Sequence, residues 1–340
     1  MRSLSVKQNV SKRLSVILAL GLMTAFVVAG CGGSSGDGAA SLGMVEYTGV
    51  TTPAVLTANN AEEITLDAYE GGAASGGLGG IGIGAVSSPE NAMPAVMKLN
   101  DVLGDVVNPA DMTNTIFAGL TDSIIMTGCS GRAQITATIN ESTGAFSMAM
   151  TFYSYDEYCS GEVISGAVAA NGTMSMPDPN DPNTWEMTGA INMNFYALTF
   201  EDASESISFG GSWTVTSVNS NTEQIDFWYI VRDNNSGATY KMGDAADKCY
   251  LLITDNGFTD DILMDGVVYN PDYGWVYFGV DVTVDNFTDL PTSGTINVWD
   301  EQGSTALLTV PSSTPPYDYT ITIDIVGSAP FDVDGYWSSN

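Results

Sequence analysis

Apolar residues alternate with small polar ones in four separate stretches of this chain, and a period of two leaves the backbone one regular option. Phe146, Met148, Met150 and Phe152 alternate with Ser147, Ala149 and Thr151. Ile207, Phe209, Gly211, Trp213 and Val215 do the same, as do Val276, Phe278, Val280, Val282 and Val284. The last such run is Tyr317, Tyr319, Ile321, Ile323 and Ile325. Successive side chains of a strand point to opposite faces, so each run predicts a strand with one buried face and one solvated face. Turn-forming clusters punctuate the pattern at Pro177–Asn183, Asp233–Gly237, Asp255-Asn256-Gly257 and Asn270–Gly274. Asn256-Gly257 suits a tight hairpin. The expected fold is mainly β: a large antiparallel sheet of repeated long hairpins over 112–340, closed as a sandwich or half-barrel.

An offset of 45 residues lays Gly144–Ala170 on Gly189–Val215 without a gap. Met148 then meets Met193, Tyr155 meets Phe200, Ile164 meets Phe209 and Gly166 meets Gly211. A looser third copy runs from Val280 through Phe287 to Gly294-Thr295-Ile296. The offset reads equally as repeated hairpins or as the coincidence that any alternating β chain produces. Residues 46–111 carry signals for two short helices instead. Asn60-Ala61-Glu62-Glu63 sets a capping residue ahead of acids in a first turn, and Gly71-Gly72 is the expected stop. Ser88-Pro89-Glu90 opens the second, with an apolar stripe from Met93 through Val107. Between them lies the low-complexity segment Gly71–Gly84.

The first 30 residues read as an address. Arg2, Lys7, Lys12 and Arg13 precede an apolar run from Leu14 to Val28, and Val28-Ala29-Gly30-Cys31 follows. That ending resembles the lipobox of bacterial lipoproteins, in which the Cys is diacylated and becomes the new N-terminus. The resemblance implies lipidation (palmitate among the acyl chains) at Cys31. An uncleaved transmembrane anchor is the competing reading, but the run is short for a span and leaves Cys31 without a role. Residues 31–45 open with Gly32-Gly33-Ser34-Ser35-Gly36, a flexible tether. Multiple acyl chains hold a protein stably at a membrane where one chain does not. Resemblance to sorted lipoproteins implies the bacterial cell envelope. It implies the outer membrane in a Gram-negative host, because Gly32 and not Asp follows Cys31.

The chain carries 40 acidic and nine basic residues, no histidine and four cysteines, for a net charge of −31. The leader holds four of the nine basic residues and no acidic one, so residues 31–340 carry five against 40, a net −35. Nucleic acid and anionic headgroups need Lys and Arg, so the charge argues against them as partners. The missing histidine removes Ser-His-Asp and Cys-His nucleophiles and HExxH zinc sites. With Cys31 assigned to lipid, three cysteines remain for an oxidising compartment. Cys129 and Cys159 bracket a hairpin that starts near Arg132 and turns around Glu141–Gly144, so the two approach each other from opposite ends. The expected disulfide is Cys129–Cys159, with Cys249 a buried free thiol.

Further pieces of the chain group together. They are Asn60-Ala61-Glu62-Glu63-Ile64, Ala68-Tyr69-Glu70-Gly71-Gly72, Cys129-Ser130-Gly131, Ile139–Ser147, Tyr158-Cys159, Val231–Gly237 and Tyr269–Gly274. With the lipobox they resemble a family of predicted bacterial lipoproteins over most of residues 31–340. The resemblance implies export, the Cys129–Cys159 pairing and the β architecture, and supplies no catalytic or binding residue.

Carboxylates and aromatics are the plentiful functional groups. Asp156-Glu157, Glu201-Asp202 and Asp260-Asp261 suggest a carboxylate glycoside hydrolase, although neighbours in a strand point to opposite faces. Calcium would use Asp178-Pro179-Asn180-Asp181 or Asp233-Asn234-Asn235, neither of which matches an EF-hand or a solenoid repeat. Ordinary polar turns are the commoner use of such loops, and Ca²⁺ stays a possible ligand. Trp213, Trp228, Tyr229, Trp275, Tyr277 and Trp299 sit in or beside strands, where aromatic rows are more often core than binding surface. The expected function is a non-enzymatic binding or structural module anchored in the envelope, with no cofactor, no catalytic residue and an unassigned metal. Carbohydrate, an apolar ligand or an envelope protein are the open partners. A carrier holding an apolar ligand between sheet and helices is the alternative, and the hydrolase the third.

Overall fold

The computed structural model describes residues 44–78, 122–140, 142–156, 159, 161, 163–175, 186–203, 206–219, 221–285, 291–311 and 318–336. The protein is mainly β, with one helix, α1 (Ala61–Leu78), and 15 strands among the described residues. The first six strands are β1 (Asp122–Thr127), β2 (Ser130–Asn140), β3 (Ala145–Asp156), β4 (Val163–Ser175), β5 (Glu186–Glu201) and β6 (Ser206–Asn219). Next come β7 (Thr222–Asp233), β8 (Thr239–Met242), β9 (Cys249–Asp255), β10 (Thr259–Asn270) and β11 (Gly274–Asp285). The last four are β12 (Pro291–Trp299), β13 (Thr305–Val310), β14 (Asp318–Asp324) and β15 (Phe331–Tyr336). They form one antiparallel sheet that follows chain order from β1 to β15. β8 and β9 share one lane between β7 and β10, each covering a different half of those two strands. The chain divides into two compact units, Met1–Val45 with Lys98–Thr216 and Glu46–Met97 with Ser217–Asn340.

In the first unit the alternation of β3 is realised as read, with Phe146, Met148, Met150 and Phe152 buried. The β2–β3 hairpin closes at Asn140↔Ala145, where Asn140 Oδ1 accepts from the amides of Ser142 (3.0 Å) and Thr143 (3.2 Å). Two successive hairpins share a bulge. Pairing runs from Phe152↔Gly166 to Tyr155↔Ile164 in one, and from Phe195↔Gly211 to Leu198↔Phe209 in the other. Each bulge holds a residue at positive φ, Ser154 (49°) and Ala197 (43°). Leu198 holds the pairing position in the second hairpin that Tyr155 holds in the first, because the second connection is two residues longer. Phe195, Phe209 and Trp213 form an edge-to-face core cluster with centroids 4.8–5.7 Å apart. Val45 is buried against Gly210, so the end of the expected 31–45 tether belongs to the folded part.

In the second unit α1 packs on β10, β12 and β13. Leu56, Ala61, Ile64, Ala68 and Tyr69 are buried together with Ile262, Phe278, Val280, Ile296, Val298, Leu308 and Ile321. Asn60 takes the capping position by backbone, since its carbonyl accepts from Ile64 N at 3.0 Å. Its side chain turns backward, however, accepting from Thr57 N (2.8 Å) and donating to Val55 O (3.1 Å). The expected stop at Gly71-Gly72 is not taken, and the helix continues to Leu78. Glycine lowers helix propensity by about 1 kcal/mol without ending a helix, and Ala73-Ala74 directly follow. The second expected helix lies outside the described residues, as do the leader and the 112–121 start of the β region.

A strap ahead of α1 joins the start of β11. Ala54 N donates to Trp275 O at 2.8 Å, and Trp275 N to Thr52 O at 3.1 Å. A Cβ at Gly274 (φ 104°) would run into Thr52 O, so this approach requires glycine. The buried Asp300 holds the other end. Its Oδ2 accepts from Leu56 N at 2.9 Å, while Oδ1 accepts from Gln302 N and Ser304 N, both at 2.9 Å.

Candidate functional site

Two places in the second unit gather groups of the chemically useful kinds. The first is the face of the sheet opposite α1. Side chains of β11 on this outer face are Trp275, Tyr277, Asp281 and Thr283, with Gly279 between them. Directly opposed residues share a face, so Tyr269 stands beside Trp275, Asp265 beside Gly279, and Trp299 beside Tyr277. Trp275 and Tyr277 meet edge to face at 5.2 Å, and Tyr277 stacks on Trp299 at 5.9 Å and 20°. The six-membered ring of Trp299 reaches over Gly279, 3.7 Å from where a Cβ would stand. These rings are half-buried, while Asp261, Asp265 and Asp281 on the same face are exposed.

At one end of this face Lys241 Nζ lies 4.0 Å from the Tyr269 ring centroid and 4.0 Å from Asp244 Oδ2. Tyr47 meets Tyr269 edge on at 5.6 Å. Partial burial pulls the Lys241 pKa down against the opposing pull of Asp244, and partial burial with the Asp247 charge raises Asp265.

The second place is where α1 meets the β10–β11 turn. Asn270, 2 % exposed, donates from Nδ2 to Asp67 Oδ2 (2.7 Å) and toward Glu63 Oε1 (3.4 Å). Its Oδ1 accepts from the amides of Asp272 (2.9 Å) and Tyr273 (3.1 Å). Tyr273 OH reaches Glu63 Oε2 at 3.4 Å. Glu63 and Asp67 are one helical turn apart and face the same way. Burial raises Asp67 to about 6, opposed by the Asn270 hydrogen bond and helped by the Glu63 charge.

Residues singled out in the sequence fall as follows. Cys129 and Cys159 form the expected disulfide, with Cα atoms 5.2 Å apart, and Cys249 is the buried free thiol. Desolvation pushes that thiol up to about 12. Cys31 and Asp178–Asp181 lie outside the described residues. Asp233 is engaged by its own turn, accepting from Asn235 N (2.8 Å) and Ser236 Oγ (2.5 Å), and the Ser236 bond leads in holding its carboxyl below the usual range. Among the described residues no group of three or more acidic or Cys side chains is placed to hold a metal ion. Asp260 is buried and Asp261 exposed, the opposite-face arrangement expected for a strand doublet. Asp156 is buried and accepts from Gly161 N at 3.0 Å beside the disulfide.

Of the six aromatics, Trp213 and Tyr229 are core, while Trp228, Trp275, Tyr277 and Trp299 are half-buried. Sequence reasoning missed the Glu63–Asp67–Asn270 grouping. The i, i+4 acids on a helix were the available signal, but nothing local placed a turn more than 200 residues away beside them. It also missed Glu223, buried and raised by desolvation to about 7.

Compared with known proteins, the chain matches no family, no curated protein and no solved structure. The likeness to predicted lipoproteins therefore rests on its own residues.

Proposed function

We propose that the chain is an envelope-anchored lipoprotein whose β region works as a non-enzymatic binding module. The observation that carries this reading is the group of Trp275, Tyr277 and Trp299 on the sheet face away from α1. Large amphipathic rings held by strands supply contact area at little conformational cost, and they are enriched where proteins bind other molecules. The anchor is supported by the basic leader, the apolar run and the Val28-Ala29-Gly30-Cys31 ending. Gly32 after Cys31 supports the outer membrane in a Gram-negative host. The net charge of −35 on residues 31–340 keeps such a domain off an anionic surface.

The anchor is tested by the mass of the N-terminal peptide from protein isolated from its own envelope. The expected species begins at Cys31 and carries acyl chains; an unmodified Cys31 with an intact leader contradicts it. The binding face is tested by native mass spectrometry of the same material and of a Trp275→Ala variant. A co-purifying molecule lost in the variant supports the reading, and one retained at equal occupancy contradicts it.

The Glu63–Asp67 pair favours a second reading, a carboxylate glycoside hydrolase. Both carboxyls reach one nitrogen of Asn270, which keeps their oxygens close to the separation used by retaining enzymes, about 5–5.5 Å. An Asp67 carboxyl raised to about 6 keeps its proton in mildly acidic solution, which suits a general acid there. Release of phenol from aryl glycosides that disappears in Asp67→Asn would establish this reading over the first.

A further inference from the structure

The outer face of the second unit combines three features that together specify an occupant. Its rings stand in a contiguous group, its exposed charges are carboxylates, and one cation is already seated there. Lys241 lies over Tyr269 with Asp244 beside it, the arrangement in which a ring face and a carboxylate share an ammonium. Next to it Trp275, Tyr277 and Trp299 carry no cation–π partner among the described residues, and Asp265 and Asp281 have no ion-pair partner among them.

Spacing narrows the occupant further. Outward side chains along β11 recur every second residue at Trp275, Tyr277, Gly279 and Asp281, a step of about 6.6–6.8 Å. Alternate side chains of any extended peptide recur at the same interval. Gly279 leaves a shallow place between Tyr277 and Asp281, floored by the Trp299 ring. A second copy of this chain would bring its own net −35 against the carboxylates, and is repelled.

We propose that this face binds an extended basic segment of a partner protein, with Lys or Arg side chains seated over Trp275, Tyr277 and Trp299 and flanked by Asp265 and Asp281. The inference rests on the binding-module reading and names its partner by charge and shape. Guanidinium and ammonium groups are attracted by ring faces and by carboxylates alike, so each position is doubly favourable to a cation. The same face disfavours nucleic acid and anionic glycans.

The test is an isothermal titration calorimetry measurement on the intact lipidated protein in detergent with a decapeptide of alternating lysine and serine. Its glutamate counterpart and a neutral gluco-oligosaccharide are run alongside. Saturable binding of the lysine peptide is expected, weakening at least fivefold between about 50 and 300 mM salt as screening sets in. The Trp275→Ala/Trp299→Ala variant should lose at least tenfold in affinity with its net charge unchanged. Asp265→Asn/Asp281→Asn, which keeps the rings, should lose a similar factor. Asp332→Asn/Asp334→Asn on β15 should lose less than twofold.

Equal binding by wild type and the tryptophan variant reduces the effect to bulk charge and overturns the proposal. So does tighter, salt-insensitive binding of the neutral oligosaccharide, which would nevertheless leave the binding-module reading standing. An unacylated Cys31 removes the anchor alone, because the titration reads the face and not the leader.

Discussion

The two faces of β9–β13 are made from the same strands and the same alternation, yet their chemistry differs. On the inner face Ile253, Ile262, Met264, Phe278, Val280, Ile296, Val298, Ala306 and Leu308 are each no more than 2 % exposed. Helix α1 and the strap ahead of it pack there, and Asp300 uses three amides to hold the corner. On the outer face Thr and Asp dominate, as expected of a solvated sheet surface. Thr283 donates to Asp261 at 2.9 Å, and Thr320 and Thr322 donate to Asp334 and Asp332 at 2.9 and 2.8 Å. The rings from Tyr269 to Trp299 interrupt that surface. Burial accounts for the large inner side chains, whereas Trp275, Tyr277 and Trp299 stand half-buried against one another on the outer face, which is why a binding role is proposed for them.

The largest expected effect breaks the inner face. Phe278→Ala should cost about 3–5 kcal/mol in urea unfolding, the range for emptying a fully buried aromatic site. A loss below about 1 kcal/mol would mean that α1 and β11 do not close a common core. Glu223 sharpens the same contrast, because it is a carboxyl placed among inner-face residues, opposite Ile253. Desolvation raises it to about 7, so the folded protein holds this proton more tightly than the unfolded chain does. Its contribution is therefore fully present below about pH 4.5 and is lost as pH rises through about 7. Glu223→Gln should flatten that decline and raise stability at pH 8 by roughly 2–3 kcal/mol. An unchanged pH profile would show that the carboxyl reaches water.

Asp300→Ala comes next. It strips acceptors from Leu56, Gln302 and Ser304 amides and should cost about 1–3 kcal/mol. Loss of protection at the Leu56 amide in hydrogen exchange is the accompanying local signal. Protection equal to wild type would mean that the strap holds without the carboxylate.

Much of this contrast was legible before any coordinates. Phe146–Phe152, Ile207–Val215 and Val276–Val284 announced strands and their buried face, because alternation is a local property of each segment. Cys129 and Cys159 could be paired because both flank one hairpin whose turn the Asn140–Gly144 stretch marks. The two-residue difference between the connections after Tyr155 and Leu198 was not legible, since sliding a chain against itself ignores bulges. Nor was the run of α1 through Gly71-Gly72, where a weak local stop was overridden. Which rings faced outward could be read only as parity along each strand. Parity does not say which face will be covered, and that choice separated Trp213, buried in the first unit, from Trp275 and Trp299, half-buried in the second. The Asp67–Asn270 bond, spanning 203 residues, has no local signature at all.

The smallest expected effect is also the most direct test. Trp275→Ala and Phe278→Ala remove aromatic rings from opposite faces of β11, three residues apart, and their unfolding free energies can be measured side by side. The account predicts that Trp275→Ala costs under about 1.5 kcal/mol, leaving a gap of at least about 2 kcal/mol to Phe278→Ala. A Trp275→Ala loss equal to that of Phe278→Ala would contradict it, by making the outer rings a second core and not a surface free to bind.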